Sequence, residues 1–208
     1  MAKYESGSDS ENLDNLLEYI KQSDISNIKT LISKNPHLLS DIVPGIESWS
    51  VFHILCINFY KNNDAIEFTL NIAKINGILS EIIDIKGKNG DTPLYLAVML
   101  GSLNIIKLLI KHGANPYMIN KNGNTILHNS VSNRKKPEIL KYLLELLPDL
   151  KDYKDYHGWT PLKTAALMGG LEKVKILLEY GCSIDFDVEK ISDSNIKDYL
   201  KEYQEYPP

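Results

Sequence analysis

Apolar residues recur along most of this chain at the three- and four-residue spacing of helices that bury one face. The segments 103–112, LNIIKLLIKH, and 171–180, LEKVKILLEY, show this pattern most clearly. Charged residues interrupt each apolar stretch, so none reaches the roughly 20 apolar residues that a membrane-spanning helix needs. The pattern predicts a series of short amphipathic helices joined by turns.

A phrase of sequence recurs before these segments. Residues 89–102 read NGDTPLYLAVMLGS and residues 157–170 read HGWTPLKTAALMGG, with Gly, Thr, Pro, Leu, Ala and Gly at the same six places. Weaker copies are NGNTILHNSVSNR at 122–134 and ESWSVFHILCINFY at 47–60. The threonine-like positions are Ser50, Thr92, Thr125 and Thr160, which are 42, 33 and 35 residues apart. A phrase repeated near one period indicates repeat architecture rather than a single catalytic motif.

The repeated residue types fit the start and end of a helix. Thr92 and Thr160 are suited to the N-cap, and each is followed by a proline, which is tolerated at the first helical position because its missing N–H would have no partner there. Glycines fit the turns where helices stop. These helix-ending glycines are Gly101, Gly113, Gly169 and Gly181. The predicted unit is two helices joined by a turn and followed by a hairpin.

The T-P-L-H phrase and the period of about 33 residues resemble ankyrin repeats, from roughly residue 12 to residue 185. The resemblance implies an all-α ankyrin-repeat solenoid with short hairpin tips. We expect a disordered tail at 1–11 and a capping repeat at 12–44. The repeats follow at 45–86, 87–119, 120–154 and 155–187. The first of them is degenerate, and we expect an insertion around 75–88 to lengthen its second helix or its loop. The segment 188–208 is expected to close the stack with a capping helix and a tail. The N-cap of this helix is expected at Asp193 or Ser194.

Histidine and cysteine are the candidates for chemistry. The resemblance implies that His53 and His128, at the fourth place of the phrase, bond back to the threonine-like residue and support the inter-repeat backbone. A nucleophile formed by Cys56 and His53 would make the chain a hydrolase, which we disfavour because His53 is reserved for packing. His157 with Asp152 and Asp155 is better interpreted as a solvated acidic turn than as a metal site.

Composition narrows the class of partner. The net charge of −4 disfavours general binding to nucleic acid or anionic membrane. Two cysteines, placed in separate repeats, and a start without an apolar signal segment fit a reducing, cytoplasmic location. We expect no cofactor, no metal, no nucleic acid and no membrane insertion, and a chain that is monomeric on its own.

The predicted function is non-catalytic protein–protein interaction, because repeats and caps occupy the chain. The skew toward Ile, Asn, Lys and Tyr favours a host-directed effector of an intracellular bacterium or large virus, delivered into or expressed in the host cell. The alternative is a regulatory or inhibitor subunit of an enzyme. The resemblance implies binding through hairpin tips and a concave face lined by the first helices.

The residues that differ between copies are the candidates for partner contact. Apolar and aromatic members such as the tryptophans and methionines have the composition of binding hot spots. The predicted partner-binding residues are Trp49, Asn89, Asp91, Met99, Leu100, Asn124, Asn133, Tyr156, His157, Trp159, Leu167 and Met168.

Overall fold

The computed structural model describes residues 7–43, 45, 48–59, 62–132, 136–168 and 170–206, with the backbone alone at 7 and 8. The chain divides into two compact units between Pro116 and Tyr117. Within the described residues the elements are helical, and the β pairing found there is an isolated bridge between Ile42 and Ser50. The all-α prediction is confirmed.

Unit 1 is built from two layers of helices. One layer packs α1 against α3 and α3 against α6, and the other packs α2 against α4 and α4 against α7. A short 3₁₀ helix, Pro36–Ser40, buries Leu38 and Leu39 beside α2 and α3. The α-helices described in this unit are α1 (Gly7–Gln22), α2 (Ile25–Lys34), α3 (Val51–Asn58), α4 (Asn63–Ile75), α5 (Leu79–Ile82), α6 (Pro93–Leu100) and α7 (Leu103–Lys111).

Unit 2 repeats the arrangement with fewer helices. The first helices α8 and α10 pack together, the second helices α9 and α11 pack together, and α12 lies against α11. The α-helices described here are α8 (Ile126–Ser132), α9 (Pro137–Leu146), α10 (Pro161–Leu167), α11 (Leu171–Glu179) and α12 (Ser194–Glu205). Asp193 caps α12 by accepting a hydrogen bond from the Ile196 N–H, which identifies the cap between the two predicted candidates.

Two expectations for unit 1 need correction. Helix α1 begins at Gly7, so the expected disordered tail is helical from residue 7 to residue 11, while residues 1–6 lie outside the described part. The insertion around 75–88 does not simply extend α4 or a loop. It forms the separate helix α5, because Gly77 turns the chain with a φ of 75° and Ile82 and Ile83 are then buried.

The predicted helix starts are confirmed. Ser50, Thr92 and Thr160 have extended backbone, and each side-chain oxygen accepts a hydrogen bond from the N–H three residues later. These bonds are 3.4, 3.2 and 3.3 Å long. They satisfy N–H groups that have no partner within a helix.

The end of α6 shows why the phrase carries a glycine. Gly101 has a φ of 73°, and the N–H groups of Gly101 and Ser102 donate to the carbonyls of Val98 and Ala97. This left-handed turn strains residues that carry a Cβ. Gly113 and Gly181 also have positive φ, whereas Gly169 lies outside the described residues.

The second helices bury a stripe that includes Leu109 in α7 and Leu177 in α11, both fully buried. Leu108, which the density of apolar residues places in the same core stripe, is only half-buried. The helix turns by about 100° per residue, so the neighbour of a core leucine lies at the margin of the buried face.

Candidate protein-interaction site

Two buried histidines, His53 and His128, each connect their own repeat to the hairpin of the next repeat. The Nδ1 atom of His128 accepts the Thr125 backbone N–H at 3.2 Å, and its Nε2–H donates to the Trp159 carbonyl at 2.8 Å. In unit 1, His53 forms the same pair of bonds to Ser50, at 3.1 Å, and to the Asp91 carbonyl, at 3.2 Å. The role that the resemblance implied for both histidines is therefore confirmed.

Burial favours the neutral form of both histidines. Burial lowers the pKa of His53 to about 4, although the carbonyls of Asp91 and Ile85 oppose the shift. Burial also lowers the pKa of His128, against the opposing effects of the Trp159 carbonyl and Asp155. A neutral imidazole with its proton on Nε2 can accept the backbone N–H at Nδ1 and donate to the carbonyl from Nε2. Both ring nitrogens of His53 are therefore engaged in hydrogen bonds that hold the hairpin.

Asp155 builds the hairpin tip of residues 155–159. Its buried carboxylate accepts the N–H of His157 at 2.9 Å and the N–H of Trp159 at 2.8 Å through one oxygen. Asn120 bonds in the same way to the N–H groups of Asn122 and Asn124. Sequence reasoning missed this pair as organisers of the tips. The available signal was an Asp or Asn three residues before a glycine in both copies.

The interpretation of Asp152 and Asp155 as a solvated acidic turn was wrong. Asp152 accepts the Ser183 N–H at 2.7 Å, so both carboxylates bind backbone. The same inter-repeat bond occurs 68 residues earlier, between Asp84 and the Asn115 N–H. Over the described ranges, no three His, Cys, Asp or Glu side chains come together in a way that could hold a metal ion.

The tip of unit 2 exposes aromatic surface. Tyr156 is 69% exposed and Trp159 is 37% exposed. The indole of Trp159 lies 5.9 Å from the His157 ring and 5.5 Å from the Lys163 ammonium, measured to ring centroids. The neighbouring tip supports this aromatic group, since the Tyr156 N–H donates to the Asn122 carbonyl at 3.0 Å.

The Tyr156 ring fills the space above Gly123, which yields a prediction. A Cβ on Gly123 would stand 2.6 Å from the ring, and the φ of Gly123 is 77°. Gly158 has a similar φ of 73° but open space around it. Both Gly→Ala variants carry the strain of positive φ, so we expect Gly123→Ala to lower the melting temperature further than Gly158→Ala. Equal losses would show that Tyr156 does not pack on Gly123.

A strip of side chains runs from this tip along α10, and we call it the α10 surface. Its exposed ends are Trp159 at the start of the helix and Leu167 and Met168, which are 42% and 43% exposed, at its end. Half-buried Lys163 and Thr164 lie between them. Lys163 and Leu167 are four residues apart on one face of this helix, which is about 10 Å long. Trp159 lies before the N-cap with its ring against Lys163, and Met168 is the C-cap. Sequence reasoning selected the ends of this strip but not its middle.

Met168 borders a cleft of about 290 Å³. The buried Lys173 lines this cleft and donates from Nζ to the carbonyls of Ser130 at 3.0 Å and Val131 at 3.3 Å. Burial lowers the pKa of the Lys173 ammonium, while Glu172 opposes the shift. Sequence reasoning missed this residue, although a lysine at the place of Ile105, 68 residues earlier, was the signal.

The ammonium of Lys173 supplies donors to the last described turn of α8, Ile126–Ser132. In the sequence, the position that corresponds to Gly101 after α6 is Arg134. The last carbonyls of a helix carry partial negative charge and lack intrahelical partners. Lys173 of the next repeat supplies donors to two carbonyls near the end of α8.

In unit 1 the predicted residues are less exposed. The Trp49 indole is half-buried and packs on Gly87, where a Cβ would stand 2.5 Å from the ring. Asp91 is half-buried and its carbonyl serves His53, whereas Asn89 and Met99 are exposed. Leu100 in unit 1 and Asn124 in unit 2 are half-buried, and Asn133 lies outside the described residues.

The two cysteines are buried thiols in different units. Burial raises the pKa of Cys56 far above its ordinary value, and burial with the nearby Asp152 raises the pKa of Cys182 to about 12. A thiol that stays protonated is a poor nucleophile. In the part of the chain that the structure describes, no helix combines the length and apolar character needed to cross a membrane.

The structure is that of a helical repeat protein. Its helices are paired, their N-termini are capped, and histidines bond one repeat to the hairpin of the next. The family model for ankyrin repeats matches in three overlapping segments, residues 16–120, 52–154 and 114–188. The chain belongs to the ankyrin repeat family, and domains of this family serve as protein-interaction scaffolds.

Relatives come from animals, bacteria and viruses. The chain is 34% identical to the B-cell lymphoma 3 protein homolog of Mus musculus over 125 residues, 55% of this chain and 28% of the relative. It is 27% identical to a putative ankyrin repeat protein of Rickettsia felis, over 62% of this chain and 43% of the relative. A putative ankyrin repeat protein of Fowlpox virus is 29% identical, over 53% of this chain and 27% of the relative.

A solved structure supports the fold. The ankyrin repeat domain of Bcl-3 matches with a TM-score of 0.57 and 29% identity, over 67% of this chain and 60% of that chain. The matched part of this chain spans less than half the length of each of the three relatives described above.

Proposed function

We propose that this chain is a non-catalytic protein-binding module whose partner contacts the α10 surface and the adjoining tip of residues 155–159. The observation that carries the proposal is the exposure of Trp159 just before α10 and of Leu167 and Met168 at its end. Exposed tryptophan and methionine are costly to leave in water and are enriched where proteins bind each other.

The contacts around Trp159 favour a binding role over a role in folding. The Asp155 carboxylate and His128 hold its backbone, so the position of the indole does not depend on burial of the ring. In contrast, Trp49 at the equivalent place is packed on Gly87. A pre-positioned aromatic side chain loses little conformational entropy on binding.

We further infer that the partner is a host-cell protein. The relatives in Rickettsia felis and Fowlpox virus support this inference, as does the compositional skew. Use as a regulatory or inhibitor subunit of an enzyme is the alternative, and it would place an enzyme on the same surface. Neither assignment requires a catalytic residue in this chain.

The test uses peptides selected from a phage-displayed random library on the purified protein. We expect the double variant Trp159→Ala, Met168→Asp to weaken binding of the selected peptides at least tenfold, since two hot-spot contacts are worth about 1–2 kcal/mol each. The matched control is Leu146→Asp, an exposed apolar residue at the end of α9 in the same unit. Thermal melting checks that each variant is folded.

The outcome can refute the site directly. If the double variant is folded and binds as wild type while Leu146→Asp does not, the partner contacts the outer face of the second helices. If both variants bind as wild type, the contact surface includes neither the α10 surface nor the neighbourhood of Leu146.

A further inference from the structure

A second surface in unit 2 lies between the end of α11 and helix α12. A cleft of about 340 Å³ is lined by two tyrosines of α12, the tyrosine that follows this helix and two glutamates: Tyr199, Tyr203, Tyr206, Glu179 and Glu202. Glu202 and Tyr203 are three and four positions after Tyr199, so both lie on the helix face of Tyr199. The hydroxyl of Tyr203 donates to the Leu178 carbonyl at 3.1 Å and fixes this face on α11.

The cleft contains two carboxylates, those of Glu179 and Glu202. Glu179 and Glu202 form no ion pair among the described residues. The lysines of α12 are engaged elsewhere, since Lys201 lies 2.6 Å and Lys197 lies 4.0 Å from the Glu189 carboxylate. The segment 185–206 holds seven acidic and three basic residues. Its net charge is therefore −4, the same as that of the whole chain.

The aromatic faces of the cleft already attract a cation. The Lys175 ammonium lies 5.0 Å from the centroid of the Tyr199 ring. Tyr199 and Tyr203 are tilted by 40° with centroids 6.5 Å apart, and Tyr206 is 73% exposed. A cation near a tyrosine face is stabilised by the ring quadrupole, and adjacent carboxylates add to this attraction.

We propose that this cleft binds an arginine or lysine side chain from a basic peptide segment of a partner protein. The unpaired carboxylates supply charge complementarity, and the tyrosines supply π faces for the cation and apolar surface for its aliphatic stem. The cleft lies at the low end of the roughly 300–1,000 Å³ of ligand pockets, as suits a side chain. The site is separate from the α10 surface and does not depend on the function proposed for it.

The probe is the peptide acetyl-Gly-Arg-Lys-Arg-Gly-amide, titrated into the isotopically labelled full chain and followed by amide chemical shifts. We expect the largest shifts at residues 179 and 199–206, and no binding of the matched peptide with three glutamines. The pair Glu179→Gln, Glu202→Gln should raise Kd at least threefold. A control with the same change of net charge is Asp14→Asn, Glu138→Gln, two exposed acids outside the cleft.

A second variant separates the cleft from general electrostatic attraction. Tyr199→Leu, Tyr206→Leu leaves the charge unchanged and should also raise Kd at least threefold, as expected for loss of two cation–π contacts. The variant Trp159→Ala, Met168→Asp should retain the shifts at 199–206, so failure of one site is distinguishable from failure of the other. Wild-type affinity in the folded tyrosine variant, shifts confined to other regions, or equal binding of the glutamine peptide would overturn the proposal.

Discussion

Leu109→Ala and Leu177→Ala are each expected to lower the free energy of unfolding by about 2–5 kcal/mol. Both side chains are fully buried between the paired helices of their units. Truncation removes apolar contact and leaves a cavity that the rigid helix pairs can close only in part. Urea unfolding monitored by circular dichroism measures the change.

Leu108→Ala is the matched control for Leu109→Ala, because the two leucines are neighbours in one helix. Leu108 is half-buried at the edge of a cleft that Glu67 and Lys111 also line. Its truncation is expected to cost well under half as much as that of Leu109. If Leu108→Ala is the more harmful substitution, the assignment of the buried face of α7 is wrong.

Stability is expected to fall as the pH drops below about 6.5, owing to the buried histidines. The folded-state pKa of His53 is about 4, below the unfolded value of 6.5. The unfolded chain therefore takes up a proton first, so the contribution is complete above pH 6.5 and declines as the pH falls toward 4. For His53 alone the loss between pH 7.5 and pH 5.5 is on the order of 1 kcal/mol.

The decisive comparison is the slope of unfolding free energy against pH in this window, where carboxylates stay ionised. His53→Gln is expected to be less stable at pH 7.5 but to lose less stability on acidification. A slope unchanged by His53→Gln would mean that His53 becomes protonated without cost in the folded protein.

The helices and their caps could be predicted from sequence because their determinants are local. A threonine, a proline and a glycine act within one turn of chain, and the repeated phrase states the same solution several times. Sequence predicted the role of a residue less well where that role depends on a contact with a residue far away in the chain. Lys173 stands where an isoleucine fits, and its partners are 42 and 43 residues away in the chain.

The candidate site was predicted in residue type but not in exposure. Trp49 and Trp159 occupy equivalent slots, yet Trp49 packs on Gly87 and Trp159 remains exposed beside Lys163. This difference depends on what the neighbouring hairpin offers, which the slot itself does not specify. Similarly, Asp155 could be recognised as acidic, but its burial follows from the turn it organises.

Hydrogen exchange of the protein with and without a bound, library-selected peptide tests the central proposal most directly. We expect slower exchange at residues 155–168, which include the tip and α10, with little change in the outer helix α9, Pro137–Leu146. Protection confined to α9, with residues 155–168 exchanging as in the free protein, would contradict a partner-binding role for the α10 surface.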